Sequence, residues 1–260
     1  MNLLPLQGKR VLVTRSANQS AKLSDGLSAI GAIPVEVPVL EIVPPESYAP
    51  LDEALRNLDR FDWLILTSTN TLRVVSARCA HFGVNPASAE GLQVAAVGRA
   101  TADAARHFGI NVAIVPEAQV AESLVAALAE AVRGKRVLFP RATEARDLIP
   151  DELRQAGALV HSVDAYRNVL PEAAPRQLRE ALMDGMDAAT FTSSSSVTHL
   201  AEAARLAGIA WPFPGVPAAS IGPITSGTLR ELGWEPSAEA KQHDIPGLIA
   251  AVVRQFSESE

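Results

Sequence analysis

The sequence predicts an α/β protein built on parallel sheets that carry helices on both faces. Short, uninterrupted apolar runs alternate with segments whose apolar residues recur at helical spacing. A strand without a polar face must be covered on both sides, and such strands are typical of parallel sheets. The same order of elements then occurs a second time along the 260 residues. Two α/β units of one kind are therefore expected.

An internal repeat relates the two halves. Residues 8–15 read Gly-Lys-Arg-Val-Leu-Val-Thr-Arg and residues 134–141 read Gly-Lys-Arg-Val-Leu-Phe-Pro-Arg, so six of eight positions are identical at an offset of 126. Later matches are weaker but keep their order, and they pair Asp62, Thr67 and Ser68 with Asp187, Thr192 and Ser193, and Gly98, Thr101, Arg106 and Gly109 with Gly222, Thr225, Arg230 and Gly233. Self-similarity at a fixed period indicates a duplicated structural unit.

Each half is predicted to contain four strands with helices between them. The predicted strands are Val11–Thr14, Ile33–Val37, Trp63–Leu66 and Gln93–Val97 in the first half, and Val137–Pro140, Leu159–Val163, Ala188–Phe191 and Ala218–Ile221 in the second. Gly31 and Gly157 stand where a helix C-cap glycine belongs. Further helices are predicted at about 51–58, 119–132 and 245–256.

The composition excludes several function classes. A net charge of −6 argues against nucleic acid as a partner, because binding to a phosphate backbone needs a basic surface. Cys79 is the one cysteine, so no internal disulfide can form, and a small buried hydrophobe is expected there. The five scattered histidines and the missing nucleotide-binding glycine motifs predict neither metal nor cofactor. With no bilayer-length apolar run and no secretory pattern, we expect a cytoplasmic protein without a membrane partner, and a monomer.

Candidate binding residues follow the predicted strands, at the edge of a parallel sheet where ligands bind. They are two arginine turns (Thr14, Arg15 and Arg141), two Ser/Thr turns (Thr67, Ser68, Asn70, Thr192, Ser193 and Ser194) and two glycine turns (Gly98, Gly222, Pro223, Ile224 and Thr225). Each turn leads into a helix, whose first N–H groups favour anions. A ligand with several carboxylates or phosphates would suit them. Ordinary helix capping and surface ion pairs explain any single turn equally well, and only the repetition favours binding.

Tyr166 is one of two tyrosines and lies on an extended segment, Val163–Pro171, which ends in proline. Its pattern fits an aromatic residue packed on a strand. The functional alternative is a phenol that donates a proton and faces a cleft between two domains.

Six segments together resemble the uroporphyrinogen-III synthase family: Val11–Arg15, Leu64–Asn70, Ala96–Thr101, Asp164–Arg167, Phe191–Ser195 and Ser220–Thr225. One departure is Asn168, where such sequences often carry Thr. The resemblance implies two flavodoxin-like domains joined by a two-stranded linker. Domain 1 would be 1–37 plus 170–260, domain 2 would be 43–163, and the linker strands would be 38–42 and 164–169. The repeat alone would have suggested a division near 133.

The resemblance also implies a reaction and its substrate. The substrate would be hydroxymethylbilane, a linear tetrapyrrole with many carboxylates, which closes to uroporphyrinogen III with inversion of ring D and loss of water, as a step of heme biosynthesis. Tyr166 would assist departure of the hydroxyl, and the Ser/Thr and glycine turns would hold carboxylates. The alternatives are a non-catalytic two-domain binding protein or sensor for an anionic small molecule, and a fused, non-catalytic pair of flavodoxin-like modules.

Overall fold

A computed structural model describes residues 4–14 and 17–257 of the chain. The chain divides into two compact units. The first combines the residues up to Glu41 with those from Val169 onwards, and the second is Ile42–Asn168. No helix in the described residues is long and apolar enough to cross a membrane.

The first unit has a five-stranded sheet in the order β10-β9-β8-β1-β2. Its strands are β1 (Arg10–Val13), β2 (Ile33–Glu36), β8 (Ala188–Phe191), β9 (Ala218–Ser220) and β10 (Pro236–Glu239), and its helices are α1 (Ala17–Ala29), α7 (Ala174–Met183), α8 (Ser194–Ala207), α9 (Pro223–Glu231) and α10 (Ile245–Ser257). Numbered in chain order within the unit, the strands run 2-1-3-4-5, which is the flavodoxin-like order. All four strand pairs are parallel.

The second unit has a five-stranded sheet in the order β3-β7-β6-β4-β5. Its strands are β3 (Glu41–Val43), β4 (Trp63–Leu66), β5 (Gln93–Ala96), β6 (Arg136–Ala142) and β7 (Leu159–Val169), and its helices are α2 (Ala49–Arg56), α3 (Thr69–Phe82), α4 (Arg99–His107), α5 (Ala121–Leu128) and α6 (Leu148–Gln155). The pairs β4–β5, β4–β6 and β6–β7 are parallel. Apart from the edge strand β3, the order is again flavodoxin-like. The predicted α/β fold class with parallel sheets is confirmed.

The central strands of both sheets are buried on both faces, as the apolar strand runs predict. In the second unit, Leu64 and Leu66 point into one apolar cluster, which includes residues of α2, α3 and α4. Trp63 and Ile65 point into another, which includes residues of α5 and α6. The first unit has the same two-sided arrangement. Successive side chains of a strand alternate between faces, so helices must cover both.

The repeated Gly-Lys-Arg segments lie at the starts of β1 and β6, and each binds an aspartate. The Asp187 carboxylate accepts from the Arg10 backbone N–H at 2.8 Å and from Lys9 at 3.3 Å. The Asp62 carboxylate accepts from the Arg136 N–H at 2.8 Å and from Lys135 at 3.1 Å. The Arg136 backbone N–H, and after it the Lys135 ammonium group, lower the pKa of the Asp62 carboxyl. Each aspartate precedes the neighbouring strand, so this contact aligns the amino ends of two adjacent strands.

Gly31 and Gly157 end equivalent turns, as predicted. They follow α1 and α6 with φ angles of 91° and 92°, a left-handed conformation that side chains with a Cβ rarely adopt. The Gly31 N–H donates to Ser28 O, and the Gly157 N–H donates to Arg154 O. The chain can thereby turn from each helix directly into the next strand.

Two features of the sheets differ from the sequence-based expectation. β10 was not predicted, because Pro-Ser-Ala-Glu has no apolar run; it is an edge strand, where proline at the first position is tolerated. β7 extends from Leu159 to Val169 and includes the predicted linker segment, 164–169; its pairing with β6 shifts register between Asp164 and Tyr166, where that pairing ends. Apolar patterning alone cannot tell where a long strand leaves its sheet.

Cys79 is 2% exposed and packs in the apolar cluster beneath α3, as expected of a buried hydrophobe. Burial raises the pKa of the Cys79 thiol to about 11 from 9.0. Because the native state retains this proton longer than the unfolded state, the thiol's contribution to stability is complete below about pH 9 and is lost as the pH rises towards about 11.

We therefore expect the native Cys79 thiol to resist iodoacetamide at about pH 8, since only the exposed thiolate reacts quickly, whereas the urea-unfolded chain is alkylated. Mass spectrometry of the labelled protein measures both rates. The Cys79→Ala variant controls for labelling at other side chains. Equal rates in the native and unfolded states would contradict the buried position.

Candidate functional site

Helices begin at the carboxyl edge of both sheets, immediately after the central strands. In the second unit β4 leads into α3 and β5 leads into α4; in the first, β8 leads into α8 and β9 leads into α9. These are the positions of the predicted Ser/Thr turns and glycine turns. The two edges are equivalent in the repeat. Within each unit, one Ser/Thr turn therefore lies beside one glycine turn.

Ser68 is the N-cap of α3, and its hydroxyl accepts from the Thr71 N–H at 3.1 Å. The same Ser68 Oγ lies 3.2 Å from the phenol oxygen of Tyr166 and 3.0 Å from Thr71 Oγ1. Tyr166 is a β7 residue that is 7% exposed, with its ring in the apolar cluster on that face. The packed-aromatic interpretation thus describes the ring, while the hydroxyl reaches the carboxyl edge at the start of a helix.

Ser193 occupies the equivalent position at α8. Its hydroxyl accepts from the Ser196 N–H at 3.2 Å, and Ser196 Oγ accepts from the Ser193 N–H at 3.3 Å, which makes a capping box. Thr228 of α9 donates to Ser194 Oγ at 2.8 Å, which ties the starts of α8 and α9 together. Capping is therefore part of what both serine turns do.

The first turns of these helices also present backbone donors to a ligand. The N–H groups at the start of a helix have no carbonyl partner within the helix. α3 begins with Thr69, followed by the predicted Asn70, and α8 begins with Ser194 and Ser195. Both helices direct the positive end of their dipole to the carboxyl edge, so this edge favours carboxylate or phosphate groups.

The glycine turns have a polar side chain packed against them that sequence reasoning missed. Gln119 Oε1 accepts from the Arg99 N–H at 3.0 Å and lies 2.9 Å from where a Cβ on Gly98 would stand. The His243 ring lies 3.1 Å from where a Cβ on Gly222 would stand. Gln119 and His243 are 124 residues apart, the same offset as Gly98 and Gly222. The two positions correspond in the repeat but hold different residue types, so no sequence identity marks them.

The α9 turn completes the set. Gly222 is its N-cap, and Pro223, which is exposed, has no N–H, so Ile224 and Thr225 supply the first backbone donors. Ile224 is 44% exposed at this edge, whereas Thr225 is buried at 4%. An exposed apolar side chain beside backbone donors suits a ligand that has both carboxylates and apolar rings.

Arg141 and Thr14 use their side chains within the protein. Arg141 is 8% exposed; its guanidinium pairs with Asp147 at 2.5 Å and also donates to the carbonyl oxygens of Ala142 and Ala145. Thr14 is fully buried and donates to Thr190 O at 2.9 Å. The Arg141 side chain therefore stabilises its own turn, and the Thr14 side chain ties the end of β1 to β8. Arg15, the partner of Arg141 in the repeat, lies outside the described residues.

The remaining predicted residues, Thr67 and Thr192, are half-buried directly after β4 and β8. Outside these turns, the Asp244 carboxylate accepts from the Gly247 N–H at 2.7 Å at the start of α10. Within 4–14 and 17–257, no group of three or more His, Cys, Asp or Glu side chains is placed to hold a metal ion. What the carboxyl edges provide is backbone donors, hydroxyls and a phenol.

The family described as uroporphyrinogen-III synthase HemD matches residues 21–250. The chain belongs to the uroporphyrinogen-III synthase family. The uroporphyrinogen-III synthase of Synechococcus elongatus is 38% identical over 253 residues, covering 95% of this chain and 96% of that protein. That of Chlorobaculum parvum is 27% identical and covers 94% and 98%.

Solved structures of family members share the fold. A mutant uroporphyrinogen III synthase from Thermus thermophilus has a TM-score of 0.70 at 19% identity, covering 97% of this chain and 100% of that one. The Helicobacter pylori uroporphyrinogen-III synthetase has a TM-score of 0.63 at 15% identity, covering 95% and 99%. Membership in the uroporphyrinogen-III synthase family confirms the predicted enzyme class, a cyclising hydro-lyase, and disfavours a non-catalytic binding protein.

Proposed function

We propose that this chain closes hydroxymethylbilane to uroporphyrinogen III, with inversion of ring D and loss of water, and that Tyr166 assists departure of the hydroxyl. The observation that supports this role of Tyr166 is the 3.2 Å contact between Tyr166 Oη and Ser68 Oγ. It brings a phenol to the start of α3, where backbone donors attract carboxylates. A proton donor thus lies beside a position that can hold the substrate.

The substrate's carboxylates bind mainly to backbone N–H groups. Asn70, Ser194 and Ile224 mark the first turns of α3, α8 and α9, where these donors lie. Gln119 and His243 pack against the glycine turns and extend the polar surface there. Charge-assisted hydrogen bonds from backbone donors are about twice as strong as neutral ones, so several together orient a polycarboxylate.

Tyr166 supplies the chemical step. Its phenol proton leaves with the terminal hydroxyl as water, which leaves Tyr166 as a phenolate and the tetrapyrrole as an electrophilic azafulvenium cation. Ring D attacks through its substituted carbon, the resulting spiro intermediate opens, and ring closure in the inverted sense releases a proton that restores the phenol. Ser68 orients the hydroxyl of Tyr166 through their contact.

Conformational control accounts for most of the catalysis in this proposal. Spontaneous closure yields the type I isomer without inversion, so the enzyme must hold the chain in the conformation that leads to the spiro intermediate. Positioned dipoles and restricted geometry are recognised sources of rate. No cofactor takes part in the proposed reaction.

An isomer assay tests the function. Hydroxymethylbilane is generated in situ, the protein is added, the products are oxidised, and the uroporphyrin isomers are separated by chromatography. We expect isomer III to dominate, against isomer I in the control without protein. An isomer ratio equal to that control would refute the proposal. We further propose a cytoplasmic monomer, for which light scattering after size exclusion measures the mass.

Ser68→Ala is expected to have two separable effects. Loss of the α3 N-cap lowers the free energy of unfolding by about 1 kcal/mol. Loss of the contact with Tyr166 Oη lowers kcat about tenfold, because the phenol is no longer oriented. The double variant Ser68→Ala/Tyr166→Phe should be no slower than Tyr166→Phe alone, since both substitutions remove the same contact between Ser68 and Tyr166.

Asn85→Ala provides the matched control. Asn85 caps a short 3-10 helix of the same unit through the Ala87 N–H at 3.0 Å, and the segment it caps lies between α3 and β5. Its loss should reduce stability slightly and leave kcat unchanged. Additive losses of kcat in the Ser68/Tyr166 double variant would show that the two residues act independently.

A further inference from the structure

A second polar site lies in the Ile42–Asn168 unit, at the amino ends of its strands. A cavity of about 580 Å³ opens there, which is a size that suits a small molecule. Its walls are the end of α2, the residues before β4, and the first residues of β6 and β7. β4 separates it from the turn at Ser68 by four residues, on the order of 10 Å of strand. We call it the amino-edge pocket.

Arginines outnumber carboxylates in the lining of the amino-edge pocket. Arg60, Arg136 and Arg154 line it, and Glu53 supplies the carboxylate among its described lining residues. The chain as a whole has a net charge of −6, so positive charge is concentrated here against the overall balance. A concave surface of one sign raises the local concentration of oppositely charged small molecules.

The guanidinium groups of Arg60 and Arg136 are available to a ligand. Within residues 4–14 and 17–257, neither side chain makes a hydrogen bond or an ion pair, and the Arg136 guanidinium interacts with the Asp62 carboxylate only through its charge. Arg136 lies with its Cζ 5.9 Å from the centre of the Phe61 ring, which restrains it at the wall of the pocket. An arginine restrained on a ring loses less entropy when it binds a carboxylate.

Arg154 adds a third donor at low cost. It pairs with Asp151 at 3.0 Å, but the two side chains are 47% and 58% exposed. Exposed pairs of this kind contribute little to stability, so Arg154 can exchange this partner for a ligand. Three guanidinium groups then surround one cavity, which favours a ligand with two or more acidic groups.

The pocket also has an apolar side. The Phe61 and His161 rings lie 5.8 Å apart, and Leu159 is 65% exposed at the start of β7. An exposed leucine beside aromatic rings offers packing area to a flat apolar body. We propose that the amino-edge pocket binds an anionic small molecule with an aromatic body and two or more carboxylate groups, separately from the carboxyl edge.

Calorimetric titration with trimesate, a benzene ring bearing three carboxylates, tests the proposal. We expect one binding site, at least tenfold weaker binding in Arg60→Ala/Arg136→Ala, and weaker binding of inorganic phosphate, which lacks the ring. Arg106→Ala/Arg133→Ala removes the same charge from exposed positions of the same unit and should change the affinity less than twofold. Equal losses in the two double variants would mean that only net charge matters and would overturn the proposal.

A carbon–proton NMR titration of the five histidines locates the ligand. The His161 ring resonance, assigned with His161→Gln, should shift as trimesate is added. A shift of His243 without one of His161 would place the ligand at the carboxyl edge and overturn the proposal, as would the absence of any binding. Arg60 and Arg136 are exposed, and an unchanged urea midpoint verifies that the double variant is folded.

Discussion

Tyr166→Phe is expected to lower kcat for uroporphyrinogen III formation by about two orders of magnitude, the usual contribution of a positioned general acid. The substitution keeps the ring, which is 7% exposed in the apolar cluster, so the fold should not change. It removes only the oxygen that contacts Ser68 Oγ. Spontaneous closure then competes with the slowed enzyme, so the fraction of isomer I rises. Single-turnover kinetics and isomer separation measure both effects.

Tyr48→Phe is the matched control, because Tyr48 is the other tyrosine and belongs to the same unit. Its ring packs against the Arg78 guanidinium at 4.6 Å, and it precedes α2. Removal of this hydroxyl should leave kcat and the isomer ratio unchanged. Full activity of Tyr166→Phe would exclude the proton-donor role, and a loss of only a few-fold would indicate that Tyr166 positions the substrate.

Arg78→Ala is expected to lower the free energy of unfolding by about 3 kcal/mol. Arg78 Nε and Nη2 donate to the two carboxylate oxygens of Asp52 at 2.7 and 2.6 Å, and Asp52 is only 8% exposed. The substitution leaves the Asp52 carboxylate buried without its partner. An unpaired buried charge destabilises the protein by more than the intact ion pair stabilises it. It also removes the contact with the Tyr48 ring. Urea unfolding followed by circular dichroism measures the change.

Arg205→Ala separates burial from charge. Arg205 makes the same two-pronged contact with Glu202, at 2.8 and 2.7 Å, but those side chains are 69% and 43% exposed. Its loss should not move the urea midpoint measurably, because exposed pairs contribute little. If the two substitutions destabilised the protein equally, burial of Asp52 would not be the cause.

Local sequence patterns predicted the central strands correctly and offered capping as one of two interpretations of the serine turns. The apolar runs Trp63–Leu66 and Ala188–Phe191 have the predicted bounds, because a strand buried on both faces has no polar interruption. Ser68 and Ser193 cap the helices that follow them, since a cap acts on a donor three residues away. The uses made of Arg141 and Thr14 were not predictable, because the same side chains could equally donate to a ligand or to the protein.

Contacts between distant residues lay beyond local patterns. Gln119 reaches the Arg99 N–H from 20 residues away, and nothing near Gln119 in the sequence indicates that contact. Pro236–Glu239 became a strand only because β9 offered it a free edge. In both cases the deciding interaction comes from a neighbour that the chain acquires on folding.

The sequence by itself determined that buried strands alternate with helices, that this pattern is duplicated, and that hydroxyl and glycine turns follow the strands. Tertiary structure decided which strands are neighbours. β1 from the first half of the repeat pairs with β8 from the second, and β4 from the first pairs with β6 from the second. Asp62 and Asp187 each bind the Gly-Lys-Arg segment of the opposite half. Apart from their prolines, all strands carry the same backbone donors and acceptors, so side-chain patterns show that a strand is buried, and only packing selects its partner.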